Sequence, residues 1–121
     1  MKLRSTLIAA VLFAAATQVC AQSGPVKVAS GMLVGDKGMT VYTFDKDTAG
    51  KSVCNGSCAT NWPPVMVDGA ALSGDYSSVT RDDGKAQVAY KGKPLYYWVK
   101  DGKAGDVTGD NVNGVWHIVK P

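Results

Sequence analysis

Asp106, Thr108 and Asp110 stand at alternate positions near the C-terminus, the 1, 3, 5 spacing of an oxygen-rich calcium loop. Such a loop also calls for Gly at position 6 and a two-oxygen carboxylate at position 12, and this chain has Asn111 and His117 there. Turns in which Asp bonds its own backbone account for the same residues without a metal. Copper is the other metal the residue types permit, since Met32, Met39, Met66 and His117 are soft or borderline ligands. They lack Met-x-x-Met or His-x-Met spacing, and scattered Met normally fills core gaps. The expectation is no resident cofactor, with Ca²⁺ or copper as the alternative.

Cys54-Asn55-Gly56-Ser57-Cys58 offers a second chemistry. In an exported protein an even pair of cysteines forms a disulfide by default. A ring this small stabilises by roughly 2 kcal/mol on the chain-entropy account. Redox catalysis would want C-x-x-C beside a helix, and zinc would want two more ligands than the single His117. Hydrolysis fares no better: there is one His, no Gly-x-Ser-x-Gly elbow and no free thiol once the pair is oxidised. Asp47 and Asp101 could act as paired carboxylates on a glycoside, but they follow equivalent strands and need not face each other. The expectation is a protein that is not an enzyme.

These residues sit in an exported chain. Lys2 and Arg4 precede an apolar run, Leu7 to Ala16, too short to span a bilayer. Val19-Cys20-Ala21 then fits a cleavage site, so residues 1–21 read as a signal peptide and residues 22–121 as one secreted domain. The alternative is a lipid anchor on Cys20, which calls for a small residue where Val19 stands. Losing Lys2 and Arg4 lowers the formal net charge from +3 to +1. With no Lys/Arg cluster left, nucleic acid is not an expected partner. With no second hydrophobic run, the mature chain is not expected to cross a membrane.

The ten acidic residues are all Asp, and there are 14 Gly. Asp and Gly favour turns over helix interiors. Short alternating runs lie between Gly/Asp turns, and none repeats at 3.6 residues. Val26 and Val28 alternate, and Met32 to Val34 is expected to continue that extended run. Gly35 to Gly38 is a turn, with Met39 to Phe44 returning as a hairpin strand. Ser57 to Asn61 makes at most one helical turn before Pro63-Pro64, and Val65 to Val67 a short extended piece. Tyr76 to Arg81, Ala86 to Tyr90, Pro94 to Lys100 and Val115 to Val119 read as further strands. The expected fold is all-β: seven or eight short antiparallel strands in two similar halves, residues 26–67 and 75–119.

One phrase defines the halves. Val41-Tyr42-Thr43-Phe44-Asp45-Lys46-Asp47 returns as Leu95-Tyr96-Tyr97-Trp98-Val99-Lys100-Asp101. A repeated unit implies two similar structural pieces. In a strand, Tyr42 and Phe44 share one face, as do Tyr96 and Trp98. Asp47 and Asp101 can accept backbone N–H bonds in the next turn or bond a Tyr hydroxyl. Alternatively, the aromatics and Asp residues line a groove. Trp62 either plugs the disulfide loop into the core or presents its ring to a ligand. Tyr97 faces away from Tyr96 and Trp98 and, with Tyr90, is the aromatic expected to be exposed.

Tyr42-x-Phe44-x-x-Asp47 and Tyr96-x-Trp98-x-x-Asp101 resemble the Y-x-[FWY]-x-x-D signature of a family of bacterial secreted repeat proteins and predicted lipoproteins. The connecting Cys54-x-Gly56-x-Cys58-Ala59-x-x-Trp62-Pro63-Pro64 and the ending Gly105-Asp106-x-x-Gly109-Asp110 with Gly114-x-Trp116-His117 resemble it too. The resemblance covers residues 26 to 121 and implies export and domain identity, but no catalytic residue. The functional expectation is a binding or structural module of the bacterial envelope, taking a protein, glycan or small ligand. A metal-binding periplasmic protein and an envelope-acting enzyme are the alternatives. The places expected to carry function are Tyr97 within the second phrase and Trp62, Asp106, Asp110 and His117 in the unequal continuations of the two phrases.

Overall fold

Tight turns set the architecture. Ser30-Gly31 and Lys91-Gly92 have positive φ at both residues, 54° and 78° in the first and 51° and 84° in the second. Two consecutive left-handed residues make the hairpin turn whose twist matches that of its strands. The computed structural model describes residues 25–121; the expected signal segment and Cys20 lie outside the described residues. The strands are β1 (Lys27–Ala29), β2 (Met32–Val34), β3 (Tyr42–Phe44), β4 (Tyr76–Thr80), β5 (Ala86–Tyr90), β6 (Lys93–Pro94) and β7 (Trp116–Ile118). One short helix, α1 (Ser57–Asn61), sits in the disulfide loop, and single 3-10 turns cover 36–38 and 112–114. The named strands pair antiparallel as β1-β2, β3-β7 and β4-β5-β6, so the domain is all-β.

Three local expectations are corrected. Residues 26–34 are not one extended run, because Ser30-Gly31 folds β1 back on β2. Met39 to Phe44 returns along β2 only at its start. The Val34–Thr40 bridge, with its Gly35 N–H to Met39 carbonyl (2.7 Å) and Val41 N–H to Leu33 carbonyl (3.4 Å) bonds, joins them, and β3 then pairs with β7 instead. Pro94 to Lys100 is not a continuous strand: β6 stops at Pro94 and Tyr96 pairs as a lone bridge with Pro64. Pro63 and Pro64 have no N–H to donate, so the ladder opposite them cannot be completed.

The two halves are exchanged rather than side by side. Each half ends in a tryptophan strand, 62–65 or 116–119, and each of these strands completes the other half. Ile118 pairs with Tyr42, and Pro64 pairs with Tyr96. The Asp45 N–H reaches the Val115 carbonyl at 2.8 Å, and the Val99 N–H reaches that of Asn61 at 3.1 Å. Leu33 donates to Val119 (2.9 Å) just as Val88 donates to Val65 (2.8 Å). Every bond in this set has a counterpart related by a pseudo-twofold axis. The axis passes between Tyr42 and Tyr96, which exchange both backbone bonds (2.7 and 3.0 Å).

Strand alternation then sorts two cores. Val41 and Leu95 point into an aliphatic cluster with Val26, Leu33, Val65 and Val88. Their neighbours Tyr42 and Tyr96 point into an aromatic cluster with Trp62, Trp116 and Cys54.

Candidate functional site

The paired tyrosines place the motif carboxylates. The Tyr42 hydroxyl donates to Asp101 Oδ2 at 2.7 Å, and the Tyr96 hydroxyl donates to Asp47 Oδ2 at 2.6 Å. Each tyrosine thus bonds the aspartate of the other copy. The second oxygen of each aspartate caps its own loop. Asp47 Oδ1 accepts the Val53 N–H (2.7 Å), and Asp101 Oδ1 accepts both the N–H (3.0 Å) and hydroxyl (2.6 Å) of Thr108. Burial, reinforced by the aspartate, raises both tyrosine pKa values well above the usual phenol range. Burial also raises the Asp47 carboxyl, against the hydrogen bonds from Tyr96 and Val53 and the charge of Arg81.

Beside these pairs, four rings stack in one column. Trp98 lies on Trp62 (centroids 3.9 Å apart), Trp62 on Trp116 (3.8 Å, planes 3° apart), and Trp116 on Phe44 (4.1 Å). Tyr42 and Tyr96 meet the inner two rings edge-on at 5.5 and 5.2 Å. The two ends of the column, Phe44 and Trp98, are the matching aromatics of the two phrases, so the column obeys the same axis. Trp62 is a buried inner member of it and presents no face to solvent. A Cβ at Gly109 would lie 2.9 Å from both the Trp62 and Tyr42 rings, so only glycine lets that loop close over them.

The unequal loops are tied down differently. Cys54 and Cys58 form a disulfide, Cα atoms 5.2 Å apart. Arg81, from the other half, reaches under this loop and is buried. Its guanidinium donates to Ser52 Oγ (3.0 Å), Gln87 Oε1 (2.9 Å), the Cys54 carbonyl (2.8 Å) and Asn55 Oδ1 (3.2 Å). Ser52 in turn meets the Tyr96 hydroxyl at 2.6 Å. Period-2 alternation from Val79 puts Arg81 on the inward face. Alternation is the signal for it in the sequence, and it is a weak one, because arginine is rarely buried unpaired.

In the second loop, Asp106 Oδ2 accepts the N–H groups of Gly102 (2.8 Å) and Lys103 (3.2 Å), which lower its pKa. Asp110 Oδ1 accepts the Ile118 N–H at 3.0 Å. The calcium-spaced side chains therefore point at separate backbone segments, and Thr108 is taken by Asp101. Among the described residues, no three His, Cys, Asp or Glu side chains are grouped to hold a metal. His117 and Met66 line different cavities.

Tyr97 is half-buried, its hydroxyl accepting the Asp36 N–H at 2.9 Å. A Cβ at Gly35 would run into its ring. His117 Nε2 lies 2.8 Å from Asp45 Oδ2 in the open. Around that pair run two adjoining cavities of about 200 and 340 Å³, which share Thr43, Asp45, Lys91 and Lys93. The first extends to Phe44 and Pro94, the second to Tyr90, His117 and Lys120. Lys91 and Lys93 carry no signal in a one-dimensional reading, since they stand far from His117 in the chain.

One comparison decides the family. The model of a secreted repeat of unknown function matches the chain twice, over residues 24–66 and 77–120. The chain belongs to that secreted-repeat family. The two matched segments are the two exchanged halves. As a member of a secreted family the protein is exported, and no helix of the described residues is long and apolar enough to cross a membrane. Neither the curated proteins nor the solved structures hold a match.

Proposed function

We propose that this secreted repeat is a non-catalytic binding module of the bacterial envelope, working without a resident metal. One observation carries the reading: most of the side chains that could do chemistry are spent on bonds that hold the fold. Asp47 and Asp101 have both oxygens engaged, each with one of them on a tyrosine of the other half. Cys54 and Cys58 are joined, and Asp106 and Asp110 cap backbone. A general acid or base must reach a substrate proton, and these groups face inward or into their own loops. One accessible concave surface is the groove beside His117, lined by polar and aromatic side chains in the manner of a recognition site.

Co-sedimentation with an isolated envelope fraction tests this. The protein should pellet saturably, release no soluble fragments, and contain no stoichiometric metal as purified. Fragment release that disappears in Asp47→Asn or Asp101→Asn would favour the enzyme. A stoichiometric metal whose removal by chelator lowers the melting temperature would favour the metalloprotein.

A further inference from the structure

The pseudo-twofold axis gives each half the same cavity, and the two have diverged. One is lined by Tyr97, Asp36, Pro64 and Met66. The other is lined by Thr43, Lys91, Ile118 and Lys120. These are four corresponding positions: the residue after the motif tyrosine, the third after Leu33 or Val88, and the second and fourth after the strand tryptophan. In the first cavity Tyr97 is part of the lining, its hydroxyl locked by the Asp36 N–H, and Asp36 and Asp68 supply negative charge. In the second, threonine replaces that ring, and lysines replace Asp36 and Met66. Lys93 and His117 add to the basic rim.

From this divergence we infer that the groove around Thr43, Lys91, Lys93, His117 and Lys120 binds an acidic saccharide, its carboxylate or phosphate lying between the lysines. The inference deepens the proposed function and rests on it. The acids present are already occupied: Asp45 is held by His117, and Asp47 by Tyr96 and Val53. None of Lys91, Lys93 and Lys120 has a carboxylate within 4.0 Å among the described residues, whose ion pairs are Lys51–Asp82, Lys103–Asp106 and His117–Asp45. Lys91 lies over the Tyr90 ring at 5.3 Å, a contact that leaves its charge without a counter-ion. Cations without a carboxylate partner on a concave wall concentrate field and attract an anion. The rest of the lining is what a sugar ring asks for. Thr43 and Thr48 offer hydroxyls, and Phe44 offers an apolar face. Phe44 ends the four-ring column, so one of its faces has no ring upon it.

Titration calorimetry at low salt tests the assignment with tetragalacturonate, glucose 1-phosphate, neutral cellotetraose and phosphatidylglycerol vesicles. Tetragalacturonate or glucose 1-phosphate should bind, and whichever binds tighter identifies the carboxylate or the phosphate as the recognised group. Cellotetraose should not bind, and affinity should fall as salt screens the lysines. Lys91→Gln/Lys93→Gln should weaken binding about tenfold, the scale of losing two partly exposed charge contacts. Lys37→Gln/Lys85→Gln, elsewhere on the surface, should leave it unchanged. Thr43→Tyr, which copies the residue of the twin cavity, should abolish binding with the melting temperature retained. Equal affinity in wild type and Lys91→Gln/Lys93→Gln overturns the inference. So does cellotetraose binding as tightly as the acidic probes, binding to vesicles alone, or no binding at all. Envelope co-sedimentation that survives Lys91→Gln/Lys93→Gln removes this inference and leaves the binding-module reading standing. Failure of the wild type to co-sediment removes both.

Discussion

Residues 25–74, prepared without the second half, are expected to be unfolded, and so are residues 75–121. Each half lacks the tryptophan strand that closes its own sheet. In the first half alone, Leu33 has no Val119 to receive its N–H, and β3 has no β7. In the second, Val88 loses Val65 and Tyr96 loses both Pro64 and the Tyr42 backbone. The aromatic column falls apart as well, because its four rings come alternately from the two halves. Chains this short seldom fold without a metal, disulfides or a partner, and the one disulfide here spans five residues of one loop. The whole domain holds only about 5–15 kcal/mol, so neither half has stability to spare. Amide NMR dispersion decides it: collapsed spectra from the separate halves are expected, and native-like dispersion from either alone would contradict exchange of the last strands.

Trp62→Ala is expected to be the most damaging single substitution. Trp62 has a ring on each face, Trp98 at 3.9 Å and Trp116 at 3.8 Å, with Tyr42 against its edge. Removing a buried tryptophan costs about 3–5 kcal/mol, the transfer energy plus a cavity the neighbours cannot close. That is a large share of a small domain's stability. Trp98→Ala should cost less, because Trp98 ends the column and is only partly buried. Urea unfolding gives both values from the midpoint shift at constant slope. A Trp62→Ala cost below that of Trp98→Ala would mean the column does not hold the halves together.

The parts of this fold that depend on neighbouring residues were readable in the chain. The Asp82-Asp83-Gly84 and Lys91-Gly92 turns, the helical turn over Ser57–Asn61 and the Cys54–Cys58 bridge all lie where the residues imply. Alternation also put Tyr42 with Phe44 and Tyr96 with Trp98 on common faces. Ser30-Gly31 is a weak turn signal because serine is not the Asn or Asp that usually marks such a turn. Pairing partners were beyond reach for a different reason. A strand's faces follow from its own sequence, but its neighbour depends on closure energies elsewhere in the chain. Asp47 could cap its own loop or bond a tyrosine, and nothing local shows that it does both, or that the tyrosine belongs to the other phrase. The candidate groove was hidden in the repeat itself. Thr43 and Tyr97 occupy the position where any residue fits the phrase, and that difference gives the two cavities unlike linings.

The reciprocal exchange is the centre of the account, and double-mutant cycles on the tyrosines and aspartates test it most directly. Tyr42→Phe with Asp101→Ala, and Tyr96→Phe with Asp47→Ala, should each show a coupling of about 1.5–3 kcal/mol, the range for hydrogen bonds to charged groups. The pairs within one phrase, Tyr42 with Asp47 and Tyr96 with Asp101, should be additive to within about 0.5 kcal/mol. Coupling within the phrases and additivity between them would contradict the exchanged fold.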